Sequence, residues 1–366
     1  MRGHAEIAGA GFAGLTLATA LAQRGWSVRV HESSPVLRAL GAGIFLWENG
    51  LRVLKAIGAY DEVLRASHQA PLYQSRLRDD SLLLSEAFGT PERGRMLTMT
   101  RQDLYEPMVR AARAAGAELV TGSEAVGATP EGELLLADGR RLRADLVAGC
   151  DGVRSKVRDS LGLLATRSAH RDGVIRVIVP RDPGEVGHPV WDNVINFWEP
   201  TRRVLYVPCN PRELYLVLVA KSTDTEATAV PVRHGPWSES FPNLAHIIRR
   251  IGDQGRYDNY ESTSLTRWSS GHVAVLGDAA HAMPPTLGQG AGCAMMNALS
   301  LAVWLSEASD VETGLAKWEE RERPLTDHTV AVSATFAIER AGSDGRSKWT
   351  PEAMRTALVV PTGTEQ

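Results

Sequence analysis

Three acidic residues in this sequence, Glu32, Asp151 and Asp278, each close a short apolar run, the last two beside a glycine. A carboxylate at the end of a buried strand, next to a glycine turn, suits the gripping of a polar cofactor where a sheet stops. Gly9-Ala10-Gly11-Phe12-Ala13-Gly14 reads G-x-G-x-x-G, and Glu32 lies 18 residues past Gly14. At that spacing Gly9 permits a tight turn, Gly11 lets backbone approach a pyrophosphate, and Gly14 lets a helix pack on a strand. Glu32 is then placed for the ribose hydroxyls of an adenosine. The pattern points to a dinucleotide site, with a glycine-rich structural turn as the alternative, and it does not by itself separate NAD from FAD. Asp278 follows the apolar run 273–276, and Pro284, Pro285, Gly288 and Gly290 follow Asp278. A small-residue helix is expected from about Gly290, with unpaired N–H groups and the positive dipole end at its start.

The elements that must position these residues can be read in chain order. Residues 5–8 and 27–31 are expected strands around a helix that carries Leu15, Leu17, Ala18 and Leu21 at helical spacing. Residues 35–44 read as a second glycine-rich loop, and 49–66 as an amphipathic helix broken at Gly58. From 70 to 85 the pattern alternates as in an exposed antiparallel sheet. Arg101 opens a helix to about Ala115, and 117–120 is a strand. Residues 132–145 form a hairpin turning at Asp138-Gly139. The strand 146–149 ends in Asp151-Gly152 and precedes a basic helix over 153–158. Residues 172–262 are rich in β-type runs (174–179, 194–198, 204–207, 214–220) with turns between them, read as an inserted antiparallel sheet. The helix from Gly290 is expected to continue over 301–322, to stop at Pro324, and to be followed by a last helix over 325–340. The polar tail after about Ser343 is expected to be loosely held.

Composition narrows the function. A chain of 366 residues suits two domains, and a formal net charge of −3 argues against a nucleic-acid partner. Three cysteines (Cys150, Cys209, Cys293) form no C-x-x-C pair, which favours a reduced compartment. No apolar run is long enough to span a bilayer, and the start leads into a strand instead of a signal peptide, so a cytoplasmic protein with no membrane partner is expected. The ten histidines show no metal-ligand pairing, and no G-x-S-x-G or H-E-x-x-H occurs, so no metal is expected. His281 reads as a packed structural histidine.

GAGFAG with Glu32, CDGVRSKVR at 150–158 and LGDAAHAMPPTLGQG at 276–290 occur in that order. Together they resemble the FAD-dependent, single-component aromatic-ring monooxygenases of the para-hydroxybenzoate hydroxylase type, along nearly the whole chain. The stretches GAGIFLWENGLRVL, IRVIVP, YVPCNPRELYL and QGAGCAMMNA resemble its pyridine-ring-opening members. The resemblance implies an α/β (α+β) fold: a Rossmann-like FAD-binding domain (1–69, 97–171 and 262–345), a mostly antiparallel β-sheet substrate domain (70–96 and 172–261), and a tail (346–366). It implies FAD as cofactor, held by Gly9, Gly11, Phe12, Ala13, Gly14, Glu32, Ser33, Arg38, Gly43, Arg101, Asp151, Asp278, Pro285, Gly288, Gly290 and Ala291. Arg101 would reach the ribityl–phosphate region and Asp278 a ribityl hydroxyl. The helix start at Gly288, Gly290 and Ala291 would face the flavin edge that becomes anionic on reduction. NADH or NADPH would be the transient reductant, without a Rossmann domain of its own, and O2 the co-substrate. Asn297 stands where such families often carry an acid.

The resemblance also implies a small hydroxylated aromatic carboxylate as substrate. Arg203 would pair with its carboxylate, a task suited to a two-pronged guanidinium. Tyr73 and Tyr215 would hydrogen-bond ring substituents, with Tyr206 a further candidate, and Pro285 would line the ring pocket beside the flavin. Pro285 and Tyr215 are the candidates nearest the reacting atoms. The expected activity is NAD(P)H- and O2-dependent oxygenation of a pyridine carboxylate, with ring opening as one outcome. The alternatives are simple hydroxylation of a benzenoid or nicotinate-type acid and a non-catalytic flavin-binding protein. A homo-oligomer is compatible with either enzyme reading.

Overall fold

The computed structural model describes residues 3–38, 42–340 and 349–365. Strand His4–Ala8 runs into Gly9, helix Phe12–Gln23 follows, and strand Ser27–His31 returns parallel to the first with Ala8 opposite His31. Leu146–Gly149 pairs with the other side of His4–Ala8, and Val273–Val275 pairs beyond it, both parallel. With Glu118–Val120 at one edge and the antiparallel Ser269–Ser270 at the other, this is a six-stranded sheet. Because the four inner strands are parallel, their carboxyl ends lie on one edge. Gly9, Glu32, Asp151 and Asp278 therefore meet there although they are far apart in sequence. Helices Phe12–Gln23 and Gly290–Glu307, apolar on nearly every face, pack against each other in the core beside this sheet.

The second sheet has seven strands, in the order Tyr257–Leu265, Leu164–Pro180, Glu213–Lys221, Arg202–Pro208, Val194–Trp198, Leu72–Leu77 and Leu82–Ala87. All neighbours are antiparallel except Val194–Trp198 with Leu72–Leu77. Side chains alternate between its two faces. Ile175, Val177, Phe197, Val204, Tyr206, Leu216 and Leu218 pack against Trp237 and Ile248 of the connecting helices His234–Ser240 and Ala245–Ile248 and against Phe241 between them. Residues of the opposite parity face the first domain's helices and the cavity described below. Gly43–Trp47 and Met96–Thr100 form a two-stranded link.

Several expectations are corrected. The loop read over 35–44 ends earlier, since Gly43 and Ile44 already belong to a strand. The helix expected over 153–158 spans Lys156–Ser160. Asp151 Oδ2 accepts the N–H groups of Lys156 (2.8 Å) and Val157 (3.2 Å), and Ser155 Oγ caps Arg158 N–H (2.9 Å), so the preceding residues form the turn. The stop placed at Pro324 falls elsewhere: Gly290–Glu307 ends first, and Val311–Arg340 runs through Pro324. Asp310 starts the new helix by accepting Thr313 N–H at 2.8 Å. Buried Trp318 and Thr329 fix the helix on both sides of the proline, so packing holds what proline weakens. The tail is not loose over its described part. Helix Pro351–Leu358 buries Met354 and Ala357, and Trp349 packs on Tyr73 with ring centroids 4.7 Å apart and the planes tilted by 37°. Ser343 and residues 346–348 lie outside the described residues. Among the described residues no helix is long and apolar enough to cross a membrane.

Candidate active site

Two cavities open along the carboxyl edge of the parallel sheet. One, of about 370 Å³, is lined by Gly9, Gly11, His31, Glu32, Ser33 and Asp151 among others. The other, of about 400 Å³, is lined by Gly11, Phe12, Ala13, Gly43, Arg101, Asp278, Pro285, Gly288, Gly290 and Ala291 and by the second sheet. They share Gly11, Cys150 and Gly152 as walls, so an elongated ligand reaches from Glu32 to Gly290 by passing Gly11.

The glycines fit such a ligand for different reasons. Gly9 has φ +97°, and a Cβ there would lie 2.4 Å from Cys150 O. A Cβ on Gly14 would lie 2.0 Å from Gly9 O, which is the close approach of helix to strand. A Cβ on Gly11 meets nothing within 4 Å and would only fill cavity. Glu32 is held by the N–H groups of Ala10 (3.0 Å) and Ser34 (2.9 Å). Asp151 Oδ1 is buried without a partner while Oδ2 binds the helix start. Arg38 lies exposed in the irregular segment after Ser27–His31 and lines neither cavity, and residues 39–41 lie outside the described residues.

At the other end, Arg101 lies over the Phe12 ring at 4.9 Å, and its Nε is buried without a partner. Burial lowers its pKa against the pull of Asp278. Asp278 is open to the cavity yet enclosed by protein. Burial pushes its pKa up, opposed by the positive charges of Arg101 and Arg176. The turn carrying Pro285 is fixed from behind. Trp47 Nε1 donates to Leu287 O (3.0 Å), Asn49 Nδ2 to Gln289 Oε1 (3.0 Å), and Thr286 Oγ1 to Ser333 O (2.8 Å). Gly288 at φ +63° then turns the chain into the helix at Gly290. An orphaned arginine edge, an orphaned carboxylate oxygen, a side-chain-free passage at Gly11 and a helix start together fit a dinucleotide cofactor. His281 is 2% exposed, accepts from Asn297 Nδ2 at 3.1 Å, and has its pKa lowered to about 4 by burial, so it sits in the core as a neutral ring.

The second sheet closes the 400 Å³ cavity with Arg176, Asn196, Arg203, Leu205, Tyr215, Val217 and Val219. Arg203 is 8% exposed; its Nη2 donates to Asp172 Oδ2 at 3.1 Å, and its guanidinium lies over Trp198 at 5.0 Å. One edge of the fork is thus fixed by Asp172. Tyr215 packs against Gly43, where a Cβ would fall 2.3 Å from its ring, and burial raises its phenol to about 12. Tyr73 stands behind the wall: its hydroxyl accepts from Asn196 Nδ2 at 3.1 Å, and Asn196 lines the cavity. Tyr206 is a correction. It lies on the opposite face of the sheet, packed on Trp191 at 5.1 Å, because it differs in parity from Arg203 on the same strand.

Sequence reasoning missed Arg176, Asn196 and Asp172. The signal for the first two is visible in retrospect: each is a polar residue inside an otherwise apolar strand run, VIRVIV and VINFW. Asp172 left no such mark, because its partner Arg203 is 31 residues away. The arrangement can hold a dinucleotide along the sheet edge and a small anionic ring against its far end.

Comparisons with known proteins find relatives along nearly the whole chain. The profile of the FAD binding domain family matches residues 4–333. The solved tetrameric form of 2-methyl-3-hydroxypyridine-5-carboxylic acid oxygenase is 48% identical, with a TM-score of 0.93 over 98% of this chain and 96% of that one. A putative 2-heptyl-3-hydroxy-4(1H)-quinolone synthase of Rhodococcus erythropolis is 40% identical, over 99% of this chain and 97% of that protein. A 3-amino-4-hydroxybenzoate 2-monooxygenase of Streptomyces cremeus is 32% identical, over 81% and 76%.

Proposed function

We propose, from the premise that this chain belongs to the FAD binding domain family and is an FAD-dependent aromatic monooxygenase, that it uses NAD(P)H and O2 to oxygenate a small hydroxylated pyridine carboxylate. The observation that carries the substrate class is the charge of the cavity. Its walls hold three guanidinium groups, Arg101, Arg176 and Arg203, against one carboxylate, Asp278. Asp172 takes one edge of Arg203 and Asp258 lies 3.9 Å from Arg176, so what the cavity offers an anionic ring is the guanidinium N–H groups these carboxylates leave free. A neutral 2-heptyl-3-hydroxy-4(1H)-quinolone, the molecule in the name of the R. erythropolis relative, has no carboxylate for the free N–H groups of Arg203.

The residues divide the work along the cavity. Gly9, Gly11, Phe12, Ala13, Glu32 and Asp151 hold the ADP half of FAD, and Gly14 lets the helix that carries Phe12 and Ala13 approach the strand. Arg101, Asp278, Gly288, Gly290 and Ala291 hold the flavin half. Bound there, FAD supplies hydride acceptance and O2 activation, chemistry that no side chain of the cavity provides. Arg203 clamps the substrate carboxylate through the guanidinium N–H groups that Asp172 leaves free. Tyr215, kept protonated by burial, offers its hydroxyl to a ring substituent. Pro285, Phe45, Leu205, Val217 and Val219 give the ring apolar contact and keep water from it. The related oxygenase occurs as a tetramer, and we extend to this chain a homo-oligomeric state and a cytoplasmic location.

The test is a screen of hydroxylated pyridine and benzene carboxylates for stimulated NADH and NADPH oxidation, with product masses. A pyridine carboxylate that stimulates oxidation and gains oxygen supports the proposal. A ring-retaining product separates hydroxylation from ring opening. Stimulation by neutral alkylquinolones alone overturns the substrate class.

A further inference from the structure

The strand Val194–Trp198 is buried throughout and apolar except for one amide at its centre. Asn196 is 1% exposed and lines the 400 Å³ cavity. Its Nδ2 donates to the Tyr73 hydroxyl at 3.1 Å, while its Oδ1 is buried with no hydrogen-bond partner. The amide is pinned, since Tyr73 is itself 5% exposed and packs on Trp349 with ring centroids 4.7 Å apart. A buried acceptor without a donor is unfavourable, and native proteins seldom leave one unless something else supplies the proton. Asn196 pairs across the sheet with Leu205, and Arg203 pairs with Trp198. Asn196 and Arg203 are therefore diagonal neighbours on the cavity face, within the reach of one substituted ring.

We propose that Asn196 is a specificity-determining contact whose Oδ1 accepts a hydrogen bond from a proton on the substrate ring edge, while Arg203 takes its carboxylate. This rests on the reading of the cavity as the site of an aromatic carboxylate. Two groups carry such a proton, a ring N–H and a ring hydroxyl, and either satisfies the same oxygen. The pairing selects rings that carry an anion and a donor together and rejects equally small rings whose donor is blocked.

The probes are 5-hydroxynicotinate and its N-methyl and O-methyl derivatives, titrated into the FAD-loaded protein and followed by perturbation of the flavin absorbance. The wild type is expected to bind the parent roughly tenfold to a hundredfold more tightly than the derivative whose donor is blocked. Which methyl group does the damage identifies the donor. Asn196→Leu should bind parent and blocked derivative alike while keeping its FAD. Asn196→Asp, which retains an acceptor, should keep the preference, and so should Tyr73→Phe. A preference that survives in Asn196→Leu overturns the inference, as does one abolished equally by Tyr73→Phe, for then the amide acts through the tyrosine. If the wild type binds the parent and shows no preference, the inference alone falls. If it binds none of the three, the substrate reading falls with it.

Discussion

Alanine at Gly11 and alanine at Gly14 are the same chemical change, three residues apart, with opposite expected consequences. At Gly14 the added Cβ would lie 2.0 Å from Gly9 O and 3.5 Å from Cys150 Cβ. The first distance is far inside the roughly 3.5 Å of a favourable contact, and the obstacle is backbone, so helix Phe12–Gln23 must move off the strand turn. Such overpacking costs about 1–3 kcal/mol or more, of which up to about 1 kcal/mol is returned by better helix propensity. A 2.0 Å clash with backbone sits at the upper end of that range, about 2–3 kcal/mol net, so at about 2–4 °C per kcal/mol the FAD-free Gly14→Ala protein should melt roughly 4–12 °C below wild type. Gly11 caps the same helix at φ −76°, a conformation open to alanine, and its Cβ meets nothing within 4 Å. The FAD-free Gly11→Ala protein should lose about 1 kcal/mol or less, the difference between glycine and alanine as a helix cap. Its methyl instead stands in the passage the pyrophosphate must use, and FAD affinity should fall roughly 10- to 100-fold. Thermal melts of FAD-stripped proteins and titration by flavin fluorescence quenching measure the two effects separately. The reasoning is refuted if Gly11→Ala melts as low as Gly14→Ala, or if it binds FAD as tightly as wild type.

Asp278→Asn should lower the FAD content of the purified protein, and undiminished occupancy would remove its role at the flavin end of the cavity. His281 gives folding stability a pH dependence. With its pKa lowered from 6.5 to about 4, the unfolded chain takes up the proton first, and stability falls as pH drops from about 6.5 toward 4. The full effect is on the order of 3 kcal/mol, and urea melts of His281→Asn should lose that part of the acid sensitivity. Arg203→Met should raise KM for carboxylate substrates by on the order of 10²-fold and for a neutral analogue far less. Steady-state kinetics on both substrates decide it, and equal losses would remove the clamp.

What the sequence by itself determined is what depends on near neighbours along the chain. The spacing of Gly9, Gly11, Gly14 and Glu32 sets a turn, a close helix and a strand-end acid within one βαβ unit, and these stand where the pattern places them. Asp278 after an apolar strand and the helix start at Gly290 are equally local, and both line the cavity. The helix break was misplaced for a local reason as well: Pro324 is a weaker instruction than the Asp310 cap once the flanking helix is packed into the core. The tertiary structure alone decided which face of the second sheet looks into the site. Arg203 and Tyr206 are three residues apart on one strand and point to opposite sides. Choosing between them needs the side on which the first domain docks, and no run of neighbouring residues carries that information. The same holds for pairs distant in sequence, Arg203 with Asp172 and Asn196 with Tyr73, the latter 123 residues apart. Strand pairing and register bring such groups together across the sheet, whereas propensity and spacing act only along the chain.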